Sequence, residues 1–244
     1  MTDLLTITGP TACGKTTFAA RLAYLLDGEI ISADSRQVYR RMDIGTGKDL
    51  KDYEVEGRHI PYHLIDIAEP GTKYNVYRYQ HDFHEAYSDI RNRGKLPILC
   101  GGTGLYIESV LKNYEFDGRI CPRVNSVVVG LMVDRDIRRQ RISRRLDARL
   151  DEGMVDEVQA LLDEGVSSES LIRYGLEYKY VTLYLLHQLT YDAMHDLLEI
   201  AIHKFAKRQM TWFRGMEKRG TPIHWIDTTQ PLGHQLDEVR QLLA

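Results

Sequence analysis

The stretch GPTACGKT, Gly9 to Thr16, constrains this chain more than any other eight residues in it. The apolar run Leu4 to Thr8 leads into it, and Phe18, Leu22, Leu25 and Leu26 follow at helical spacing, so the order is strand, loop, helix. Each part of the pattern GxxxxGK[ST] has a mechanical reason. Gly9 and Gly14 let the backbone wrap an anion, with successive N–H groups and the helix N-terminus pointing at it. Lys15 adds charge, and the Thr16 hydroxyl can reach Mg2+. We therefore read Gly9, Pro10, Thr11, Ala12, Cys13, Gly14, Lys15 and Thr16 as a loop for two linked phosphates, with Thr16 as the metal contact. Whether these belong to ATP or to another diphosphate, the loop does not say, because backbone donors grip both alike.

A strand feeding such a loop belongs to a parallel sheet. Further apolar runs at Glu29 to Ser32, Leu64 to Ile67, Leu96 to Cys100 and Val127 to Val133 read as its other strands, with a helix over Tyr79 to Arg93 closed by Gly94. From Asp134 onward the pattern is almost entirely helical, broken near Gly153, Gly165 and Gly175. The fold class expected is α/β: a parallel sheet of the P-loop NTPase type flanked by helices, with a helical C-terminal half. We expect residues 1–244 to form one domain, 134–244 to be the mainly helical part packed on the sheet, and 113–125 (NYEFDGRICPRVN) to mark a reduced insertion site.

Composition narrows the class. No apolar run approaches the roughly 18 residues of a membrane span, and the start runs straight into LLTIT without the pattern of a leader, so we expect a cytoplasmic monomer. Three cysteines without CxxC spacing support neither a disulfide framework nor a zinc site, and Cys13 reads as a small filler. His59 and His63 are four apart, but Pro61 between them argues against a helical metal pair. The net charge of -3 leaves room only for a local basic face.

A phosphate loop that hydrolyses ATP expects a second apolar strand ending in Asp. Here LPILCGGTG ends in glycines, where Thr103 can cap the next helix or bind diphosphate. The acidic residue best placed to face the loop is Asp34, at the end of the second strand, where a kinase would use it for an acceptor hydroxyl and other chemistry as a base. In RDIRRQRISRRLDARL, Arg138, Arg141, Arg145 and Arg149 fall near one helical face beside Ile142, Leu146 and Leu150. Lys204, Lys207, Arg208 and Thr211 share a face of a helix that starts near Tyr191, with Trp212 and Phe213 docking it.

Taken together, IISADSRQVYRRMDIGTGK, HLIDI, PILCGGTGLYIESVL and AKRQMTWFR, in that order behind GPTACGKT, resemble the tRNA dimethylallyltransferases, or isopentenyltransferases. The resemblance implies transfer of a prenyl group from dimethylallyl diphosphate to the N6 amine of the adenosine beside the anticodon (position 37) in tRNA. By the same resemblance Asp34 is the base, Thr16 the phosphate and Mg2+ contact, and Arg141 reaches the diphosphate. Ser35 and Gln37 match positions that touch the acceptor, and Lys207, Arg208 and Gln209 match a segment that contacts RNA. The chain departs from the family in two places. The long helical insertion that embraces the anticodon stem is reduced to 113–125, and the GYKE block reads YGLEYKY. Two other readings stay open: a prenyltransferase acting on free adenine nucleotide, and a nucleotide-binding protein or kinase.

Overall fold

The computed structural model describes residues 2–116 and 124–243. The loop's strand is β1 (Leu4–Thr8), and the helix it feeds is α1 (Lys15–Leu26). There follow β2 (Gly28–Ser32), a hairpin of β3 (Glu54–Val55) and β4 (Arg58–His59), and the short β5 (Tyr62–His63). Next come α2 (Val76–Asn92), β6 (Leu96–Gly101), α3 (Gly104–Leu111) and β7 (Ser126–Met132). The remainder is α4 (Arg135–Asp151), α5 (Met154–Asp163), α6 (Ser168–Tyr174), α7 (Leu176–Leu185), α8 (Tyr191–Lys218), β8 (His224–Asp227) and α9 (Leu232–Leu243).

Six strands form one parallel sheet in the order β5-β2-β6-β1-β7-β8. β1 lies inside it, with Leu5 beside Ile98 of β6 and Val127 of β7. Alternation sends Leu4, Ile31, Leu99 and Val128 to one core and Leu5, Ile30, Ile98 and Val129 to the other. α1 and α9 cover the second core, while α2, α3, α5, α7 and α8 cover the first. Both faces are thus buried, and all five residues of β1 are inaccessible to solvent.

Two of the expected elements change. The run 64–67 is not a strand: Leu64 and Asp66 adopt φ of 63° and 57°, left-handed values that break pleating, and the chain pairs as a strand at Tyr62–His63 instead. The C-terminal half is not wholly helical either, because β8 joins the sheet edge in register with β7, Ile226 opposite Leu131. Four residues with two apolar side chains are too short a signal for a strand. The breaks at Gly153, Gly165 and Gly175 all hold, each glycine having a positive φ. Of the insertion site, residues 117–123 lie outside the described residues.

Candidate active site

At the carboxyl ends of β1, β2 and β6 opens a cavity of about 310 Å3. That volume lies at the lower end of small-molecule sites, which run from about 300 to 1,000 Å3. The phosphate loop forms one wall. Ala12 and Gly14 adopt φ of 63° and 83°, so the backbone turns its N–H groups to one side, and those of Ala12, Cys13 and Gly14 make no backbone hydrogen bond among the described residues. Gly9 is required for a different reason: a Cβ there would stand 2.4 Å from the Leu131 carbonyl oxygen. Lys15 Nζ donates to the Pro10 carbonyl at 2.7 Å, curling the side chain over the loop. The Cys13 thiol donates to the same carbonyl at 2.9 Å and is buried, the filler role expected of it. Burial pushes the other core thiol, Cys100, up to about 12, so it stays protonated at neutral pH.

Asp34 stands on the opposite wall. One of its oxygens, Oδ1, accepts from the Arg36 and Gln37 N–H groups at 2.9 and 3.4 Å, a turn that fixes the carboxylate, and Oδ2 has no hydrogen-bond partner among the described residues. The Thr16 hydroxyl likewise has none and lines the cavity. Arg141, Arg145 and Arg149 of α4 project into the same space, one turn apart, while Arg138 faces elsewhere.

Beneath them lies a buried charge network. The Glu177 carboxylate at the start of α7 pairs with Arg36 and, at 3.6 Å, with Arg149 Nη1. Burial alone would raise the Glu177 carboxyl, but the two guanidiniums outweigh it and hold its pKa below the ordinary value. Arg36 shows the converse: burial disfavours its charge, and Glu177 and Asp34 more than offset that, so its pKa is raised. Arg149 is 9% exposed, and burial together with repulsion from Arg145 holds it down to about 10. Its Nη2 has no hydrogen-bond partner among the described residues and packs on Gly47, where a Cβ would meet it at 1.5 Å. Gly47 has φ of 65°, and its loop is clasped from α5, where Glu157 accepts from the N–H groups of Asp43, Ile44 and Gly45 at 2.8, 2.7 and 3.0 Å.

Other residues singled out in the sequence serve mainly to hold the frame, and of these Gln37 and Gln209 also line the cavity. Thr103 occupies the N-cap position of α3 without a side-chain capping bond; its hydroxyl accepts from the Ser35 N–H at 3.0 Å, so these two link the loops after β2 and β6 away from the cavity. Gln37 does line the cavity, and its amide donates to the Gly47 carbonyl at 3.0 Å. Gln209 is turned inward: Oε1 accepts from the Thr11 N–H at 2.8 Å and Nε2 donates to the Gly102 carbonyl at 3.0 Å, stitching α8 to the phosphate loop. Arg208 and Arg36 both lie over the Phe205 ring, 5.8 and 5.9 Å from its centroid, and Lys207 points into a separate groove. Both aromatic residues dock the helix: Phe213 is fully buried, and Trp212, though partly exposed, lies against Gly104 at the start of α3, where a Cβ would meet its ring at 2.1 Å. His59 and His63 pair with Glu54 and Glu29, not with each other. Sequence reading passed over Arg36 and Glu177 as site residues; the only visible signal was the altered YGLEYKY block, and nothing there tells that Glu177 turns inward.

A parallel sheet with a phosphate loop at its centre, facing Asp34 and an arginine row, with glycines and not an Asp at the end of the neighbouring β6, defines a candidate transferase site. Residues 37–125 and 116–216 match the family described as IPP transferase. The chain is 51% identical to tRNA dimethylallyltransferase 1 of Parabacteroides distasonis, over 99% of this chain and 97% of that protein, and 50% identical to tRNA dimethylallyltransferase 2 of Phocaeicola vulgatus over the same shares. Both alignments run over 299 positions, 55 more than the 244 residues of this chain. Among solved structures, it is similar to the tRNA isopentenylpyrophosphate transferase of Bacillus halodurans (TM-score 0.85, 30% identity, 98% of this chain and 95% of that one). A second is that of Staphylococcus epidermidis (TM-score 0.87, 27% identity, 98% of each chain). The chain belongs to the IPP transferase family.

Proposed function

We propose that this chain transfers a dimethylallyl group from dimethylallyl diphosphate to the N6 amine of an adenosine in tRNA, the nucleotide next to the anticodon, and releases diphosphate. One observation carries the reading: the orphan N–H groups of the phosphate loop and the free Oδ2 of Asp34 face one cavity across the arginine row of α4. The relatives' names, tRNA dimethylallyltransferase and tRNA isopentenylpyrophosphate transferase, support the substrate pair.

The chemistry explains why both walls are needed. The exocyclic amine of adenine is a weak nucleophile because its lone pair is delocalised into the ring. The bond from the amine nitrogen to the prenyl C1 forms as the C1–O bond breaks, and the bonding pair leaves with the diphosphate. Loop N–H groups, Lys15 and Arg141 stabilise that growing charge from fixed positions. Asp34 takes the amine proton through Oδ2 while its Oδ1 stays held by the turn. The guanidinium fork of Arg141 matches a two-phosphate anion better than an ammonium would.

Mg2+ fits the Thr16 end of the cavity. Thr16 supplies one free hydroxyl oxygen, and such an ion commonly takes one or two protein oxygens with phosphate oxygens and water. Among the described residues the one cluster of potential ligating side chains, His81, Asp82 and Glu85, lies outside the cavity lining. Bound at the Thr16 end of the cavity, Mg2+ would neutralise charge on the departing diphosphate. The adenosine must leave its loop stack to reach Asp34, which flipping enzymes accomplish at a cost of a few kcal/mol. No helix among the described residues is long and apolar enough to cross a membrane, as a reaction on tRNA requires of no part of the chain.

The test is diphosphate release from dimethylallyl diphosphate with Mg2+, comparing unmodified tRNA with AMP, and mass analysis of the nucleosides afterwards. Prenylated adenosine in the tRNA is the expected product. Release with AMP alone would move the acceptor to free nucleotide, and ATP turnover without prenyl transfer would end both readings.

A further inference from the structure

The wall of the catalytic cavity is mostly polar or charged, yet a prenyl donor brings a hydrocarbon tail into it. The larger hydrocarbon side chains of that wall are Leu176 at the start of α7 and Ile202 and Phe205 on α8, while Tyr53 is buried in the second core. Ile202, Phe205 and Gln209 follow one another at spacings of three and four, so one face of α8 looks into the cavity. Gln209 ends that stripe on the phosphate loop, through the Thr11 N–H at 2.8 Å. Phe205 lies at the Asp34 end: the Arg36 guanidinium is 5.9 Å from its ring centroid, and the Arg36 N–H donates to Asp34 Oδ1 at 2.9 Å.

Both groups are held in place. Two guanidiniums, Arg36 and Arg208, lie over the Phe205 ring, and Arg36 is itself anchored on the buried Glu177 carboxylate. Leu176 adopts φ of 44°. A bulky residue takes that left-handed value only where the surrounding structure imposes it, and such strain gathers at ligand sites. Among the described non-glycine residues with positive φ, two line the cavity: Ala12 in the phosphate loop and Leu176. The first belongs to the diphosphate wall, and the second presents a leucine to the space beyond it.

We infer that Leu176 and Phe205 receive the prenyl tail and set its length at five carbons, an inference that rests on the prenyl-transfer reading above. Four bonds separate the ester oxygen of dimethylallyl diphosphate from its terminal methyl groups, a span of about 5 Å at ordinary bond lengths. The helix rises by about 6 Å from Gln209, at the phosphate loop, to Phe205. A five-carbon tail therefore ends beside the Phe205 ring. A ten-carbon tail must pass that ring toward Ile202, a further rise of about 4.5 Å that the ring obstructs. Contact with leucine and phenylalanine also favours the donor over bare diphosphate, since the tail's apolar surface leaves water.

The experiment compares wild type with Phe205→Ala and Leu176→Ala. With Mg2+ present, calorimetry gives the affinity of each for inorganic diphosphate and for dimethylallyl diphosphate. Transfer to unmodified tRNA gives kcat/KM for dimethylallyl and for geranyl diphosphate, the same bond change with a longer tail. Truncation should weaken dimethylallyl diphosphate binding by about tenfold or more and leave inorganic diphosphate binding unchanged, because only the former has a tail. A merely structural role would move both. Wild type should favour the shorter donor, and Phe205→Ala should shift the kcat/KM ratio toward the longer one by about 10–200-fold, the range for a small misfit in an apolar pocket. Unchanged diphosphate binding also reports that the site is folded, and should Phe205→Ala fail that check, Leu176→Ala carries the same two readouts. If wild type transfers the five-carbon group while the folded alanine variants keep its tail affinity and donor ratio, or alter only the KM for tRNA, these residues do not form the tail pocket, and the proposed function stands. If wild type neither binds dimethylallyl diphosphate nor transfers its prenyl group, both fall together.

Discussion

The two walls of the cavity are built in opposite ways. The phosphate loop is contiguous, spans residues 9–16, and presents backbone N–H groups that no substitution other than proline removes. The facing wall is assembled from Arg36 after β2, Arg145 and Arg149 on α4, and Glu177 on α7, side chains up to 141 positions apart. One wall is fragile only at a few conformationally special residues, whereas the other fails wherever a single charge is lost. A buried ion pair broken on one side leaves an uncompensated charge, and that penalty far exceeds the net worth of the intact pair.

The contrast is sharpest for activity at Asp34. Asp34→Asn keeps the turn's acceptor while removing the base, and turnover should fall by about 10²–10⁴-fold with donor affinity unchanged; retained turnover in single-turnover assays would remove Asp34 as base. Glu177→Gln comes next and strikes stability. Two buried guanidiniums lose their carboxylate, and the chain should be destabilised by about 3–5 kcal/mol in urea unfolding. The loop counterpart, Lys15→Ala, should lose donor binding with its unfolding midpoint unmoved, because among the described residues Lys15 Nζ donates only to the Pro10 carbonyl and the Cys13 sulfur. Equal stability losses in the two variants would erase the difference drawn here.

Glycine positions refine it. Gly47→Ala should cost about 1–3 kcal/mol and raise the donor KM, since the methyl group meets Arg149 Nη2 and the residue must keep φ of 65°. Gly14→Ala should cost about 1 kcal/mol, because its φ is 83° but nothing lies within 4 Å of the new Cβ. The smallest effect lies outside both walls. His195 is held above its usual 6.5 by its hydrogen bond to Asp147, so its contribution is fully present below pH 6.5 and is lost as pH rises through the folded value. His195→Gln should flatten the stability curve on that alkaline side by about 0.5 kcal/mol at most, measured as Tm against pH.

Much of this architecture was legible in the residues. β1, the loop and α1 are specified locally: the hydrophobic period changes from two to 3.6 across glycines whose conformation few other residues tolerate. Asp34 was visible as the acidic end of β2, and the arginine row showed through its spacing along α4. The short strands were not, because Tyr62–His63 and His224–Asp227 become strands only by pairing with β2 and β7.

Side-chain direction divides the two kinds of knowledge. Lys207, Arg208 and Gln209 are neighbours in sequence, yet one enters the outer groove, one lies over Phe205 and one ties the phosphate loop to Gly102. The sequence by itself determined the phosphate loop, the parallel sheet behind it and the identity of the carboxylate facing it, because those depend on backbone conformation and on short-range periodicity. Only the tertiary structure decided that Glu177 sits beneath Arg36 and Arg149. Burial and charge pairing depend on which distant surfaces meet, and no local pattern encodes that.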